Sequence, residues 1–255
     1  MLGKNRIKQI NALQIKKFRN ETGLFVAEGS KVIYELLKSK IKIIELFAVP
    51  EWIESHANIL TGDFTITPVN AEEIRKISAM STACSVVALA TIPQQQNNFV
   101  PRKDELFIAL DAVRDPGNFG TILRTANWYG IKTLICSKDT VDLFNPKTVQ
   151  ASMGSAFRIN VIYTDLQPML KSAAASGIEV FGTFLNGENI YKADLPSSGI
   201  IVMGNEGHGI IPEIEVCITR RLSIPCFEQP KSAPESLNVS SAASVILSEF
   251  LRRKC

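Results

Sequence analysis

The sequence predicts an α/β protein whose C-terminal part is built on a mostly parallel sheet, and three observations carry that prediction. From residue 105 onward, short apolar runs alternate with amphipathic stretches of helical period, the pattern of strands joined by crossover helices. Pro93-Gln94-Gln95-Gln96-Asn97-Asn98-Phe99-Val100-Pro101 is amide-rich, bracketed by prolines and free of either period, and reads as a linker. Ahead of it lies a smaller α/β unit. The expected organisation is a domain over 1–92, a linker over 93–104 and a second domain over 105–255.

In the first domain Ile7, Ile10, Leu13 and Ile15 suggest an opening helix and Leu24–Ala27 a strand. Lys31–Lys38 reads as a helix, Ile43–Val49 as a strand, Ala71–Ser78 as a helix and Ser85–Ile92 as a closing apolar strand. Lys4, Arg6, Lys8, Lys16, Lys17 and Arg19 all precede the first acidic residue, Glu21. That run fits a patch that neutralises phosphates, and equally a solvated helix face.

In the second domain the expected strands are Leu106–Leu110, Thr133–Cys136, Arg158–Tyr163, Glu179–Phe184, Gly199–Met203 and Arg221–Pro225. The helices between and after them are expected at Phe119–Tyr129, Pro146–Met153, Leu166–Ala175, Pro212–Ile218 and Val239–Arg253. After the first strand, Asp115-Pro116-Gly117-Asn118 suits a type II turn, with Gly117 at positive φ and Asn118 capping the next helix. Phe119, Ile122, Leu123, Ala126 and Gly130 share one face of that helix, and Arg124 lies off it. Taken alone, the segment fits a capped surface helix with a solvated arginine. Ligands of such sheets bind beyond the carboxyl ends of the strands.

Composition narrows the function. A net charge of +3 is too small to imply nucleic-acid binding by itself. Five cysteines, odd in number and without C-x-x-C spacing, argue against disulfides and a thiolate zinc site and suit a reducing cytoplasm. Two histidines, His56 and His208, are too few for a histidine-rich metal centre, so no metal is expected. The N-terminus lacks the apolar core of a signal peptide, and no run approaches a membrane span. G-x-G-x-x-G and the phosphate loop are absent, which weighs against a conventional dinucleotide or open-sheet methyltransferase site.

Three segments, each after an expected strand, carry the chemistry. They are Asn118-x-Gly120-x-x-x-Arg124-x-Ala126, Gly204-Asn205-Glu206-Gly207-x-Gly209, and Ile224-Pro225 followed by Ser236-Leu237-Asn238-Val239-Ser240. In this order they resemble the signature motifs of the SpoU/TrmH class of RNA ribose 2′-O-methyltransferases, within the SPOUT superfamily. The likeness spans most of Leu106–Arg253. Lys17-x-Arg19…Phe25-x-x-Glu28-Gly29 is similar to the N-terminal substrate-binding domain of that family, a ribosomal-protein-like α/β fold. Two features depart from the pattern: residues 226–235 form a longer stretch without glycine, and Cys84-Ser85 stands where relatives often carry Gln-Gly.

The resemblance implies a trefoil knot that holds S-adenosylmethionine, a homodimer packed through the knotted domain, and an active site drawing on both subunits. Carried over by position, Thr183, Leu185, Gly204, Ile224 and Leu237 would line the cofactor pocket. Arg124 matches the catalytic arginine that helps activate the ribose 2′-hydroxyl, and Asn118, Glu206, Ser236 and Asn238 the polar residues that position it and the substrate. A guanidinium keeps its proton near neutrality, so its planar fork is read as orienting a phosphate or hydroxyl. RNA is the implied partner, ribosomal in preference to transfer RNA, with Lys4, Lys8, Lys16, Lys17 and Arg19 as candidate contacts. The runner-up is an RNA-binding or ribosome-assembly factor that keeps the fold without methylating.

Overall fold

A computed structural model of the chain describes residues 2–82, 84–94, 99–227 and 236–252. The chain divides into two compact units, Met1–Gln94 together with Asp142–Arg158, and Gln95–Val141 together with Ile159–Cys255. Residues 142–158, read from sequence as part of the second domain, therefore group with the first. Most of the long stretch expected at 226–235, and residues 95–98 of the linker, fall outside the described residues.

The first unit carries α1 (Lys4–Ala12), α2 (Lys16–Thr22), β1 (Leu24–Glu28), α3 (Ser30–Leu37), β2 (Ile43–Ala48), α4 (Pro50–Ser55), β3 (Thr65–Pro68), α5 (Ala71–Ile77) and β4 (Val86–Thr91). Its sheet runs β1-β4-β2-β3, with β4 antiparallel to both neighbours and β3 parallel to β2. Ile10, Leu13, Val26, Phe47, Ile74 and Leu89 fill one core. The opening helix is broken in two, and Arg19 holds the break. Its guanidinium donates to the carbonyls of Leu13 and Gln14 at 2.7 and 3.0 Å, satisfying oxygens left free at the end of α1. The short helix α4 buries only Trp52, and the edge strand β3 buries none of its residues, so neither leaves an apolar period in the sequence.

Residues 142–158 complete this unit. The α7 helix (Pro146–Ala151) is capped by Asn145, and the Phe144 and Phe157 rings lie 4.5 and 6.0 Å from that of Phe25. Asp142 accepts from Nε and Nη2 of Arg19 at 2.9 and 2.5 Å.

The second unit carries β5 (Leu106–Leu110), α6 (Pro116–Trp128), β6 (Thr133–Ser137), β7 (Asn160–Thr164), α8 (Leu166–Ala175), β8 (Val180–Asn189), β9 (Gly199–Met203), α9 (Pro212–Glu215), β10 (Arg220–Ser223) and α10 (Val239–Leu251). Its six strands are all parallel, in the order β10-β8-β9-β5-β6-β7. From β5 the chain builds outward through β6 and β7, then crosses to the other side for β8, β9 and β10. The order reverses between β5 and β9, which is where an open parallel sheet offers a crevice at its carboxyl edge. Both strands are wholly buried, consistent with their continuous apolar sequences.

The expected turn at 115–118 is instead the first turn of α6. Asp115, rather than Asn118, is the N-cap, its carboxylate accepting from the Asn118 backbone N–H at 2.7 Å, and Pro116 takes the first helical position. Gly117 has no positive φ. That shift frees the Asn118 side chain for other work. No helix among the described residues is long and apolar enough to cross a membrane.

Candidate active site

The loops after β5 and β9 meet at the crevice. Asp111 is buried; its backbone N–H donates to the Met203 carbonyl and its carboxylate accepts from the Ile211 N–H, both at 2.9 Å. Burial pushes its carboxyl up from the ordinary aspartate value, opposed by the Ile211 hydrogen bond and by His208. Ala112, next in the chain, sits at φ 53, a left-handed conformation unfavourable for alanine. It is held from two sides. Its N–H donates to Ser137 Oγ at 2.9 Å, and its carbonyl accepts from the Asn205 side chain at 2.7 Å.

The β9 loop closes on itself. Asn205 and Gly209 exchange backbone hydrogen bonds at 2.9 and 3.0 Å, and Asn205 Oδ1 accepts from the Gly207 N–H at 2.8 Å. A Cβ on Gly204 would lie 2.2 Å from the Gly209 carbonyl carbon and 2.3 Å from the Ile210 nitrogen, so only glycine permits this approach. The closed loop presents Glu206 to the start of α6. Its carboxylate accepts from the Asn118 side chain at 3.0 Å and from the Asp115 N–H at 3.3 Å.

Asn118 Oδ1 in turn accepts from the Asn238 side chain at 2.9 Å. Asn238 Oδ1 caps α10, accepting from the Ser240 N–H and hydroxyl at 2.9 and 2.7 Å. The amide orientations follow from chemistry. An ionised carboxylate only accepts, so Asn118 must turn its NH₂ to Glu206 and its oxygen to Asn238. The line Glu206–Asn118–Asn238–Ser240 is therefore directional from end to end, joining segments far apart in sequence.

Beside it lies a cavity of about 560 Å³. Thr183, Leu185, Gly204, Ile224 and Leu237, the five residues expected around a cofactor, all line it, together with Glu206, Ser236 and Asn238. Phe184, Glu215 and Ile246, which the sequence reading did not single out, line it as well. No lysine or arginine is among the described residues of the lining, whereas Glu206 and Glu215 are. Such a donor set does not suit phosphates; it suits a ligand without phosphates that carries positive charge, such as a sulfonium nucleoside.

Arg124 stands apart. It is exposed on α6 and makes no hydrogen bond or ion pair with any described residue. Six residues beyond Asn118, it lies about 9 Å further along the helix axis. One position on, Thr125 meets Ser244 of α10 at 3.2 Å. In the first unit Lys4, Lys8, Lys16 and Lys17 are exposed. Arg19 is not: at 1% exposure, with its donors occupied by Asp142, Leu13 and Gln14, it cannot face a phosphate, and the expectation that it contacts RNA is corrected. Asn205 and Asp111 were missed as site residues. The only signal for Asp111 was an acid at the end of an apolar strand. Among the described residues no group of three His, Cys, Asp or Glu side chains could hold a metal ion.

Comparison with known proteins supplies the family and the fold. Residues 105–248 match the SpoU rRNA Methylase family, and residues 4–88 match the MRM3-like substrate binding domain. The 23S rRNA guanosine 2′-O-methyltransferase RlmP of Bacillus subtilis is 29% identical, over 95% of this chain and 94% of its own. A TrmH-family protein from Porphyromonas gingivalis is 34% identical and superposes with a TM-score of 0.87, over 99% of each chain. An AdoMet-bound rRNA methyltransferase from Sinorhizobium meliloti is 30% identical with a TM-score of 0.85, over 100% of this chain and 97% of its own.

Proposed function

Since the chain belongs to the SpoU rRNA methylase family, we propose that it transfers the methyl group of S-adenosylmethionine to a ribose 2′-hydroxyl in structured RNA, ribosomal RNA in the first place. The observation that carries this reading is the Glu206–Asn118–Asn238 line running beside a cavity that Glu206 and Glu215 line and that has no lysine or arginine among its described lining residues. When bound, the cofactor supplies a methyl on a positively charged sulfur, already activated for transfer, so the protein's task is chiefly alignment.

Thr183, Leu185, Gly204, Ile224 and Leu237 hold the cofactor. Asn118, fixed between Glu206 and Asn238, sets the floor against which the ribose is placed, and Ser236 offers a further hydroxyl at the rim. Arg124 orients the ribose hydroxyl or a neighbouring phosphate with its planar fork. Its distance along α6 from Asn118 and its lack of a partner among the described residues favour service to the site of a second copy, in a homodimer packed through a knotted C-terminal domain. No metal enters the scheme. Lys4, Lys8, Lys16 and Lys17 supply a phosphate-facing surface on the substrate-binding unit, and the protein works in the cytoplasm. The likeness of residues 4–88 to a substrate-binding domain, and the activity named for RlmP, favour ribosomal over transfer RNA.

The test is tritiated methyl transfer from S-adenosylmethionine to total RNA from cells lacking the gene, with Arg124→Ala as control. Label at one ribosomal RNA nucleotide, resistant to alkaline cleavage and lost in the variant, is the expected result. Cofactor and RNA binding without label would instead indicate an assembly factor that keeps the fold.

A further inference from the structure

The wall of the cavity contributed by β8 has an irregular construction. Arg220 and Arg221 of β10 pair with Phe181 and Gly182, but the next residue, Leu222, pairs with Glu188. Residues 183–187 of β8 thus leave the ladder with β10 and return, and Thr183, Phe184, Leu185 and Asn186 from this excursion line the cavity. The return is tight: a Cβ on Gly187 would lie 2.8 Å from the Leu222 carbonyl carbon. A segment released from its ladder needs another restraint to keep one shape.

Arg221 supplies it. Its guanidinium lies 3.6 Å from the centroid of the Phe184 ring, Nη2 donates to Asn186 Oδ1 at 3.1 Å, and Nη1 pairs with Glu215 of α9. Phe184, Asn186 and Glu215 all line the cavity, whereas Arg221 does not. One side chain thus ties three wall residues from two segments. Its neighbour Arg220 secures the exit of the excursion, donating to Glu188 at 2.8 Å. The Arg221–Glu215 pair is exposed, at 41% and 40% of side-chain area, and exposed pairs contribute little to global stability. The arrangement bears on the shape of the wall instead.

We propose that Arg221 is a positioning residue for the cofactor, bracing Phe184, Asn186 and Glu215 as one wall of the cavity. The proposal rests on the reading that this cavity takes S-adenosylmethionine. A guanidinium stacks on the ring and donates through its fork at the same time, which an ammonium cannot do. Lysine is therefore a poor replacement.

The test compares wild type, Arg221→Ala, Arg221→Lys and the control Leu237→Glu. Calorimetric titration with S-adenosylhomocysteine is read beside kcat, KM and thermal melting. The expected result for Arg221→Ala is a Kd and a cofactor KM raised about tenfold. Its kcat at saturating cofactor should stay within about twofold, and its Tm within about 3 °C. Arg221→Lys should recover less than half of the lost affinity. Unchanged Kd in Arg221→Ala, or full recovery with lysine, would overturn the proposal, as would a fall in kcat with KM unmoved. If Leu237→Glu abolishes binding while Arg221→Ala binds normally, the brace fails and the cofactor reading stands. If Leu237→Glu binds like wild type, the cofactor reading fails and the brace with it.

Discussion

Asn238 donates its side-chain amide to Oδ1 of Asn118 at 2.9 Å, and so ties the first turn of α10 to that of α6. The same side chain caps α10 through its oxygen. These two duties separate in one substitution. Asn238→Asp keeps the capping oxygen and removes the donor, so its Tm should stay within about 2 °C of wild type while methyl transfer falls at least about tenfold. Asn238→Ala loses both and should also lose about 1 kcal/mol of stability. An aspartate variant with wild-type turnover would show that the tie does nothing for catalysis.

Arg124 is exposed and has no partner among the described residues, so Arg124→Ala should leave stability within about 0.5 kcal/mol of wild type while removing activity. Subunit mixing then asks which site it serves. If it serves the partner's, co-expressing Arg124→Ala with Asn118→Ala chains produces heterodimers with one complete site, and a statistical mixture should recover about a quarter of wild-type activity. Recovery of nothing would place Arg124 in the site of its own chain.

The buried pair of Arg19 and Asp142 gives a stability prediction. Asp142→Ala leaves an unpaired guanidinium at 1% exposure and should cost about 3–5 kcal/mol, read from chemical denaturation. Adding Arg19→Met to that variant should recover part of the loss, because the stranded charge is gone. Additive losses in the double variant would mean that Arg19 acts through its bonds to Leu13 and Gln14 alone.

Asp111 sets a pH dependence whose sign follows from burial. Its native carboxyl titrates above the ordinary value of 3.8, so the native state holds that proton to higher pH than the unfolded chain does. Its contribution to stability is present in full below that ordinary value and is lost as the pH rises through the raised one. Asn at this position still accepts from the Ile211 N–H without the buried charge. The Tm of wild type relative to Asp111→Asn should therefore fall as the pH rises from the ordinary value of 3.8 through the raised one. A difference that is flat across this range would count against it.

Replacing Lys4, Lys8, Lys16 and Lys17 with alanine should weaken RNA binding and reduce the slope of log K against log salt by about 3, measured by filter binding. An unchanged slope would move the RNA surface elsewhere.

The parallel sheet was legible because buried parallel strands are continuous apolar runs, and Leu106–Leu110 and Gly199–Met203 are such runs. The residues around the cavity were legible only through three motifs read together, since each alone fits a cap or a turn. What escaped was whatever depends on a distant partner. Lys16, Lys17 and Arg19 look alike in a count of charges, and only Asp142, 123 positions away, withdraws Arg19 from the surface. The excursion in β8 escaped for the same reason, because its cause lies in how Arg221 and Leu222 choose their neighbours. The start of α6 was misplaced by three residues because Asp-Pro-Gly-Asn satisfies the rules for a turn and for a helix entry equally well.

The placement of residues 142–158 with the first unit has a consequence for synthesis. A chain made from its N-terminus has finished Thr91, the last residue of the four-stranded sheet, while Asp142, Phe144 and Phe157 are still untranslated. At about 5–20 residues per second that interval lasts several seconds. Through it Phe25 has neither of its ring neighbours and Arg19 has no counter-charge. The first unit to leave the ribosome waits for its last segment, and its completion is timed by the reading of the codons for residues 95–141, which belong to the second unit.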